Sequence, residues 1–180
     1  MYGINSLTEA IVEIGFSCLR CGACCQGGKD EHCVIVSPPE IDALAHASGM
    51  ERNDIVQPYP EYIESDGGRK YTFAWCLRNH RARCIFLGEG KTCAVYQMRP
   101  WICRTYPFAL NENELTVSQC PGLGREMSRT EAGSLAISLL HRRDAEHVEE
   151  KKVEAVFARS DIPEHTMVVF DSRGMWSVHG

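Results

Sequence analysis

The chain has 180 residues, of which 44% are apolar and 24% are charged, and its formal net charge is −5. This balance is typical of one folded domain, or of one domain with an appendage, and excludes a fibrous or wholly disordered chain. The negative charge excludes a basic field for a nucleic-acid backbone, and no apolar run reaches the roughly eighteen residues that cross a bilayer. The amino terminus has no basic residue before its apolar stretch, unlike a secretory signal. We therefore expect a cytoplasmic protein that neither inserts into a membrane nor binds nucleic acid.

The helix that follows Ser37 has the clearest start in the first half of the chain. Ser37 stands at the N-cap, Pro38 at the first helical position, and Glu40 three residues after the cap, where it can close a capping box. Before this helix, the sequence predicts a short helix or extended lead-in at 1–16 and a loop at 18–30. The helix itself ends at Gly49, and it is followed by a second short helix at 52–57 and a strand at 70–77.

The rest of the chain predicts two hairpins and one long helix. Ser128 and Glu131 form a second capping box, which opens a helix that could reach Ser160. The hairpins are predicted with strands at 106–110 and 114–118 around a tip at 111–113, and with strands at either side of a turn at 171–174 within 166–178. Because a two-stranded hairpin is marginal alone, we expect the terminal one to cover its apolar side with the domain or with another chain.

Cysteine is the residue type that sets this sequence apart. Ten cysteines are present, and four of them lie within eight residues of one another, which is too close a spacing for ordinary core residues. Two residues separate Cys18 from Cys21 and Cys21 from Cys24, so that turns can bring these sulfurs to one zinc or iron site. Gly22 permits the positive φ that such turns often need. Cys120 followed by Pro121 could complete a ligand set of the ferredoxin type, but the spacing does not choose between iron–sulfur and zinc.

Three motifs together resemble a known family. The segments FSCLRCGACC at 16–25, CIFLGEGKTCAVYQMRPWICRTYPF at 84–108 and CPG at 120–122 are similar to the CxxCxxCC, or YkgJ-like, cysteine-cluster family, which is described as a candidate zinc- or iron-chelating domain. The resemblance covers roughly residues 16–122 and implies nothing about 126–180. Cys33 and Cys76 fall outside the pattern. The metal ligands that the resemblance implies are Cys18, Cys21, Cys24, Cys25, Cys84, Cys93, Cys103 and Cys120.

Eight thiolates make two four-sulfur sites, or one cluster plus structural thiols. Side chains of neighbouring residues generally diverge, so we expect one of Cys24 and Cys25 to join Cys18 and Cys21, and the other to join Cys84, Cys93 and Cys103. A tetrathiolate centre with zinc or a [4Fe–4S] cluster is an anion, and it calls for nearby cations. The candidates for that role are Arg20, Arg99 and Arg104, for which the alternative is plain surface charge. His32 and His80 could join a mixed site, although both lie in polar stretches where an exposed histidine is ordinary.

These features predict an α+β fold class: a small cysteine-rich metal-binding domain at 1–125 with short helices and strands, plus a long helix and hairpin at 126–180. The leading hypothesis is an iron–sulfur protein with one or two clusters, expected to be [4Fe–4S]. It would serve electron transfer or cluster handling as an accessory subunit of a larger redox complex, rather than act as an enzyme. One alternative is a zinc-stabilised interaction module. A second is an enzyme like the flagellin lysine methylases, which carry a similar cysteine motif but are much longer. Residues 126–180 are expected to dock a protein partner.

Overall fold

A computed structural model describes residues 3–26, 33–111 and 114–178 of the chain. The predicted loop beyond residue 26, with the candidate ligand His32, and the hairpin tip at 112–113 lie outside the described residues. Within those that are described, the fold is mixed α+β, as the sequence predicts. No helix in this part of the chain is both long enough and apolar enough to cross a membrane.

The helices are short except for the last. They are α1 Ile4–Ile14, α2 Pro38–Ser48, α3 Arg52–Ile55, α4 Trp101–Thr105 and α5 Arg129–Phe157. The strands are β1 Ile35–Val36, β2 Val56–Pro58, β3 Ile63–Ser65, β4 Arg69–Thr72, β5 Trp75–Leu77, β6 Asn79–His80, β7 Arg83–Cys84, β8 Phe108–Asn111, β9 Glu114–Val117, β10 Met167–Asp171 and β11 Gly174–Ser177. They form small sheets in the orders β1-β5-β2, β11-β10-β4-β3, β6-β7 and β8-β9.

Both predicted capping boxes are confirmed. The backbone N–H and the hydroxyl of Ser37 donate to Glu40 Oε2 at 2.8 and 2.6 Å, and Gly49 ends α2 with a φ of +69°. Ser128 and Glu131 make the same contacts at 2.9 and 2.6 Å where α5 begins. These contacts satisfy backbone donors that the first helical turn leaves without partners, which is why both helices begin where the sequence indicates.

Two predicted elements are partly wrong. The strand at 70–77 is divided into β4 and β5, which belong to different sheets, because Phe73 and Ala74 leave the strand and the Phe73 ring packs 5.1 Å from that of Phe157. The helix at 52–57 is helical only from Arg52 to Ile55, because Val56–Pro58 pairs with β5 as strand β2. In both places pairing with distant strands overrides the local pattern.

Both predicted hairpins form. β8 pairs with β9, and β10 pairs with β11 across the turn that follows Asp171. β10 also pairs in parallel with β4, with Val168 opposite Tyr71. The apolar side of the terminal hairpin is thereby joined to its own chain, and Val168 and Phe170 are fully buried against Val156 of α5.

Two apolar cores hold the cysteine segments in place. The first joins α2 with β2 and β5, and Cys84 and Cys93 pack at its edge through Phe86 and Val95. The second joins α1, β8 and the first half of α5 around Leu7, Phe108 and Leu139. The cysteine loop that follows α1 therefore lies between the parts of the fold that these two cores stabilise.

Candidate metal centre

The first arm of the candidate site is the loop from Cys18 to Cys25. Ser17 N–H donates to the carbonyl of Gly122 at 3.0 Å, which sets the start of the loop beside the Cys120-Pro121-Gly122 segment. A Cβ on Gly122 would lie 2.3 Å from Ser17 O, so only glycine lets the two backbones approach this closely. Gly22 has the positive φ expected of it, +71°, and is the N-cap of a one-turn 3₁₀ helix, Ala23–Cys25.

The second arm is the turn that joins Cys84 to Cys93. Ala94 N–H donates to Phe86 O at 2.8 Å, and Gly88 N–H donates to Thr92 O at 2.9 Å, so that the segment folds back on itself. The backbone N–H two residues after each cysteine donates to its sulfur, from Phe86 to Cys84 and from Val95 to Cys93. Such N–H···S bonds favour the thiolate form, which is the form that binds metal.

The third arm is α4, which carries Cys103. The backbone N–H of Trp101 donates to Glu40 Oε1 at 2.8 Å, while the other oxygen of Glu40 caps α2. One carboxylate therefore fixes the start of both helices. The capping box at 37–40 is readable from the sequence, but this second role of Glu40 depends on a contact across 61 residues and leaves no local signal.

The three arms surround one cavity of about 280 Å³. The cysteines that line it are Cys18, Cys24, Cys25, Cys84, Cys93 and Cys103. Adjacent Cys24 and Cys25 do not diverge as the sequence suggests, because the 3₁₀ turn brings their Sγ atoms to 3.9 Å from each other. Within the described residues, no three Cys, His, Asp or Glu side chains meet the geometry for chelating a single ion.

Cys21 and Cys120 do not line the cavity. They lie towards Tyr106, where burial, followed by the charges of Cys120, Cys24 and Cys21, raises the pKa of the phenol. Gly122 N–H lies 3.5 Å from Cys120 Sγ, again two residues after the cysteine. Both thiols, like Cys24, are thus close enough to Tyr106 for their charges to act on its phenol.

Cations are concentrated at the cavity. Arg20, Lys91 and Arg99 line it, and none of the described residues in the lining is acidic. The guanidinium groups of Arg20 and Arg99 lie 4.7 and 3.7 Å from the centroid of the Tyr96 ring. Arg104 does not line the cavity; it stacks on Trp101 at 5.3 Å and donates to the carbonyls of Arg99 and Gln97. The sequence analysis did not single out Lys91, although it lies inside the 84–108 motif, two residues before Cys93.

Four of the six cavity thiols have a pKa raised above that of a free cysteine: Cys25, Cys84, Cys93 and Cys103. Burial, followed by the charges of Cys84, Cys24 and Cys93, raises the pKa of Cys103 to about 12, and the Arg99 cation opposes that shift. Burial also raises the pKa of Cys84 and of Cys93, against the N–H donors of Phe86 and Val95. The hydrogen bond with Cys24 and burial raise the pKa of Cys25. A cation bound here would displace these protons and remove the mutual repulsion of the thiolates.

The remaining candidates lie elsewhere. Cys76 is fully buried in β5, and its thiol is hydrogen-bonded to that of Cys33 rather than to a cavity thiol. His80 is exposed on β6. Phe108, the last residue of the 84–108 motif, packs in the core between α1 and α5.

Residues 17–121 match the CxxCxxCC family, described as "Putative zinc- or iron-chelating domain". A curated relative, the uncharacterized protein MJ0661 of Methanocaldococcus jannaschii, is 24% identical over 98 residues, which are 54% of this chain and 47% of the relative. The aligned part thus spans about half the length of that relative. No solved structure matches the chain. The match and the geometry agree on one chemistry, since clustered thiolates are the ligands of zinc and of iron–sulfur clusters.

Proposed function

Because the chain belongs to the CxxCxxCC family of zinc- or iron-chelating domains, we propose that it binds an iron–sulfur cluster and serves electron transfer or cluster handling as an accessory subunit of a larger redox complex. The observation that carries the proposal is the ring of six cysteine side chains around one cavity of about 280 Å³. Iron–sulfur clusters are held by four thiolates, so this ring offers more donors than one cluster requires.

The size of the cavity favours a cluster over a single ion. In a tetrahedral zinc site the four sulfurs lie about 2.3 Å from the metal, so that little space separates them. The cavity between these thiols is many times the roughly 30 Å³ occupied by one water molecule. A polynuclear core with bridging sulfides is the occupant that suits both this volume and a lining with six thiols.

The charges around the cavity suit an anionic centre. Four thiolates around a [4Fe–4S]²⁺ core carry a charge of −2, which is costly to bury without compensation. Arg20, Lys91 and Arg99 supply positive charge at the lining, and the N–H groups of Phe86 and Val95 donate to two of the sulfurs. Hydrogen bonds to the sulfurs and nearby charge are the means by which a protein sets the potential of a cluster.

Some of the cavity cysteines are partly buried, and others are exposed to solvent. Cys103, Cys84 and Cys25 are partly buried and would hold a cluster against the protein, whereas Cys18 and Cys24 are exposed at the rim. When bound, a cluster supplies one-electron redox chemistry. The aromatic ring of Tyr96 and the two guanidinium groups that stack on it form part of the lining. An exposed rim is what exchange with a partner protein requires.

The proposal is tested by purifying the protein anaerobically and measuring iron, acid-labile sulfide, zinc and the visible absorption spectrum. The expected result is a brown protein with absorbance near 400 nm and comparable amounts of iron and sulfide. A colourless protein with stoichiometric zinc and no sulfide would contradict the proposal.

One observation favours the second candidate, a zinc-stabilised interaction module. The Sγ atoms of Cys24 and Cys25 are 3.9 Å apart, close to the separation of about 3.8 Å that two sulfurs have on one tetrahedral zinc. In that case the metal would replace part of an apolar core, and the surface rather than the metal would carry the function. The zinc measurement above separates the two candidates.

A further inference from the structure

A second cavity, of about 1100 Å³, forms a groove along the middle and last turns of α5. We call it the α5 groove. It shares no lining residue with the cysteine cavity. Its other walls come from β1, α4, β8 and the Phe73 segment between β4 and β5, so one helix and several separate segments enclose it. This size exceeds the usual range of small-molecule pockets, which is about 300–1,000 Å³.

The floor of the α5 groove is apolar and exposed. Ile35, Phe73 and Phe157 line it with 49%, 38% and 36% of their surface accessible to solvent. The rings of Phe73 and Phe157 are 5.1 Å apart, and both pack near the buried Phe170. A smaller adjoining cavity shares Ile35 and Phe73 and continues the apolar surface to Ile63, which is 47% exposed. Contiguous exposed apolar surface of this kind marks interaction sites.

The rim of the groove is acidic. Five carboxylates and two guanidinium groups line it, all from α5. Both arginines are already paired, Arg142 with Glu146 at 2.7 Å and Arg143 with Asp144 at 2.7 Å. The three carboxylates left at the rim after these pairings are those of Glu149, Glu150 and Glu154.

Glu149 supplies a second, independent observation. Its Oε1 accepts from Lys152 at 2.8 Å, but its Oε2 is buried and has no hydrogen-bond partner among the described residues. A buried acceptor left without a donor costs free energy, which a donor from outside the chain would recover once the Glu149 side chain turns towards the groove. Glu154, one turn further along the same wall, makes no ion pair within the described part of the chain.

We propose that the α5 groove binds a cationic amphipathic segment of a partner protein. Apolar side chains of the segment lie on Ile35, Phe73 and Phe157, and its lysine or arginine groups reach Glu149 and Glu154. This is the mode in which an amphipathic helix lies in an apolar groove, with charge complementarity at the rim. The proposal goes beyond metal binding and does not depend on which metal the cysteine cavity holds.

The test uses the full-length, metal-loaded protein and a fluorescein-labelled probe. The probe is a synthetic amphipathic peptide of about 18 residues, built from leucine on one face and lysine on the other. A matched peptide with glutamate in place of lysine tests the charge requirement. Binding is followed by fluorescence anisotropy for wild type, for the groove variants Glu154→Lys and Ile35→Ser, and for the control variants Glu13→Lys and Val12→Ser. The controls make the same charge reversal and a similar aliphatic-to-serine change at exposed positions of α1 that do not line the groove.

The expected result is that each groove variant weakens binding of the lysine peptide by about tenfold, while each control changes it by less than about twofold. The glutamate peptide should not bind. Circular dichroism and metal content, equal to wild type in all four variants, confirm that the fold is intact. No binding by wild type, equal weakening in groove and control variants, or equal binding of both peptides would overturn the proposal. Sedimentation showing a dimer that both groove variants abolish would instead assign the groove to a second copy of the chain, and would also overturn it.

Discussion

Cys103 and Cys76 are both thiols whose pKa is raised chiefly by burial, yet they lie in opposite surroundings. Cys103 faces a cavity in which it meets the charges of Cys84, Cys24, Cys93 and the Arg99 cation. Cys76 lies fully buried in the middle strand of the sheet β1-β5-β2, where its sulfur neighbour is Cys33. Cys103 thus belongs to a group of thiols around a cavity that can hold a cation, whereas Cys76 belongs to a pair of thiols without such a cavity.

The hydrogen bonds of the cavity thiols also differ from those of the Cys33–Cys76 pair. In the cavity, sulfurs accept: Cys84 accepts from the backbone N–H of Phe86, and Cys93 accepts from that of Val95. In the pair, Cys76 donates its S–H to the carbonyl of Pro58 at 3.8 Å. Acceptor sulfurs near cations are prepared for the thiolate form, whereas a donor sulfur must keep its proton. The difference teaches that surroundings, and not burial alone, separate candidate metal ligands from structural cysteines.

The largest effect expected from this comparison is on metal binding. Cys103→Ser should lower metal affinity by more than about 100-fold, because losing a ligand exceeds the 10–100-fold that partners of ligands are worth. Cys76→Ser should retain metal, since a hydroxyl can still donate to Pro58 O. Metal retained against a competing chelator measures both variants. Equal loss in both would remove the distinction between the cavity and the pair.

Removal of the metal should destabilise the cavity region and with it the fold. Structural metal sites contribute about 10 kcal/mol or more in small domains, so we expect chelation under reducing, anaerobic conditions to lower Tm by at least about 10 °C. The Cys103→Ser protein, which has already lost metal, is the control and should show little further change. A Tm that chelation leaves unaltered would mean that the thiols do not organise the loop at 18–26.

Alkylation distinguishes protection by metal from protection by burial. At a temperature where the chelated protein keeps its circular dichroism, chelation should speed iodoacetamide labelling of Cys18 at least about tenfold and leave that of Cys76 within about twofold. Because burial raises the pKa of Cys76, its thiolate fraction is small at pH 7 and should still rise about tenfold per pH unit at pH 9. Mass spectrometry of each labelled peptide gives the rates. Labelling of Cys76 that responds to chelation as Cys18 does would place the pair in the metal site.

The smallest effect concerns Arg99. Its cation opposes the rise in the pKa of Cys93 and Cys103, so Arg99→Gln should weaken metal binding by about tenfold, and Arg99→Lys should recover part of the loss. Arg125→Gln, an exposed arginine that does not line the cavity, is the control. Competition with a chromophoric chelator gives the affinities. A loss as large in Arg125→Gln would show that net charge, rather than the position of Arg99, is responsible.

Features encoded by neighbouring residues could be predicted from the sequence. The capping boxes at Ser37 and Ser128 and the positive φ of Gly22 depend on contacts within four residues or on one residue type. The family pattern likewise marks the cysteines by spacing alone. What spacing does not encode is the direction of each side chain, and so it did not indicate that Cys24 and Cys25 line one cavity while Cys21 does not.

Features that depend on distant segments could not be predicted. The parallel pairing of β10 with β4 joins segments almost one hundred residues apart, and nothing in either strand specifies the other. The interruption at Phe73 follows from that topology, because β4 and β5 must enter different sheets. The Cys33–Cys76 pair is also a tertiary contact, and the sequence indicated only that neither residue fits the motif.

The central claim, that the cavity thiols hold an iron–sulfur cluster, is tested most directly by X-ray absorption of the anaerobically purified protein at the iron and zinc edges. We predict iron surrounded by four sulfur neighbours, with a short iron–iron distance that the Cys103→Ser variant loses and the Cys76→Ser variant keeps. Zinc with four sulfurs at about 2.3 Å and no iron signal would contradict the claim.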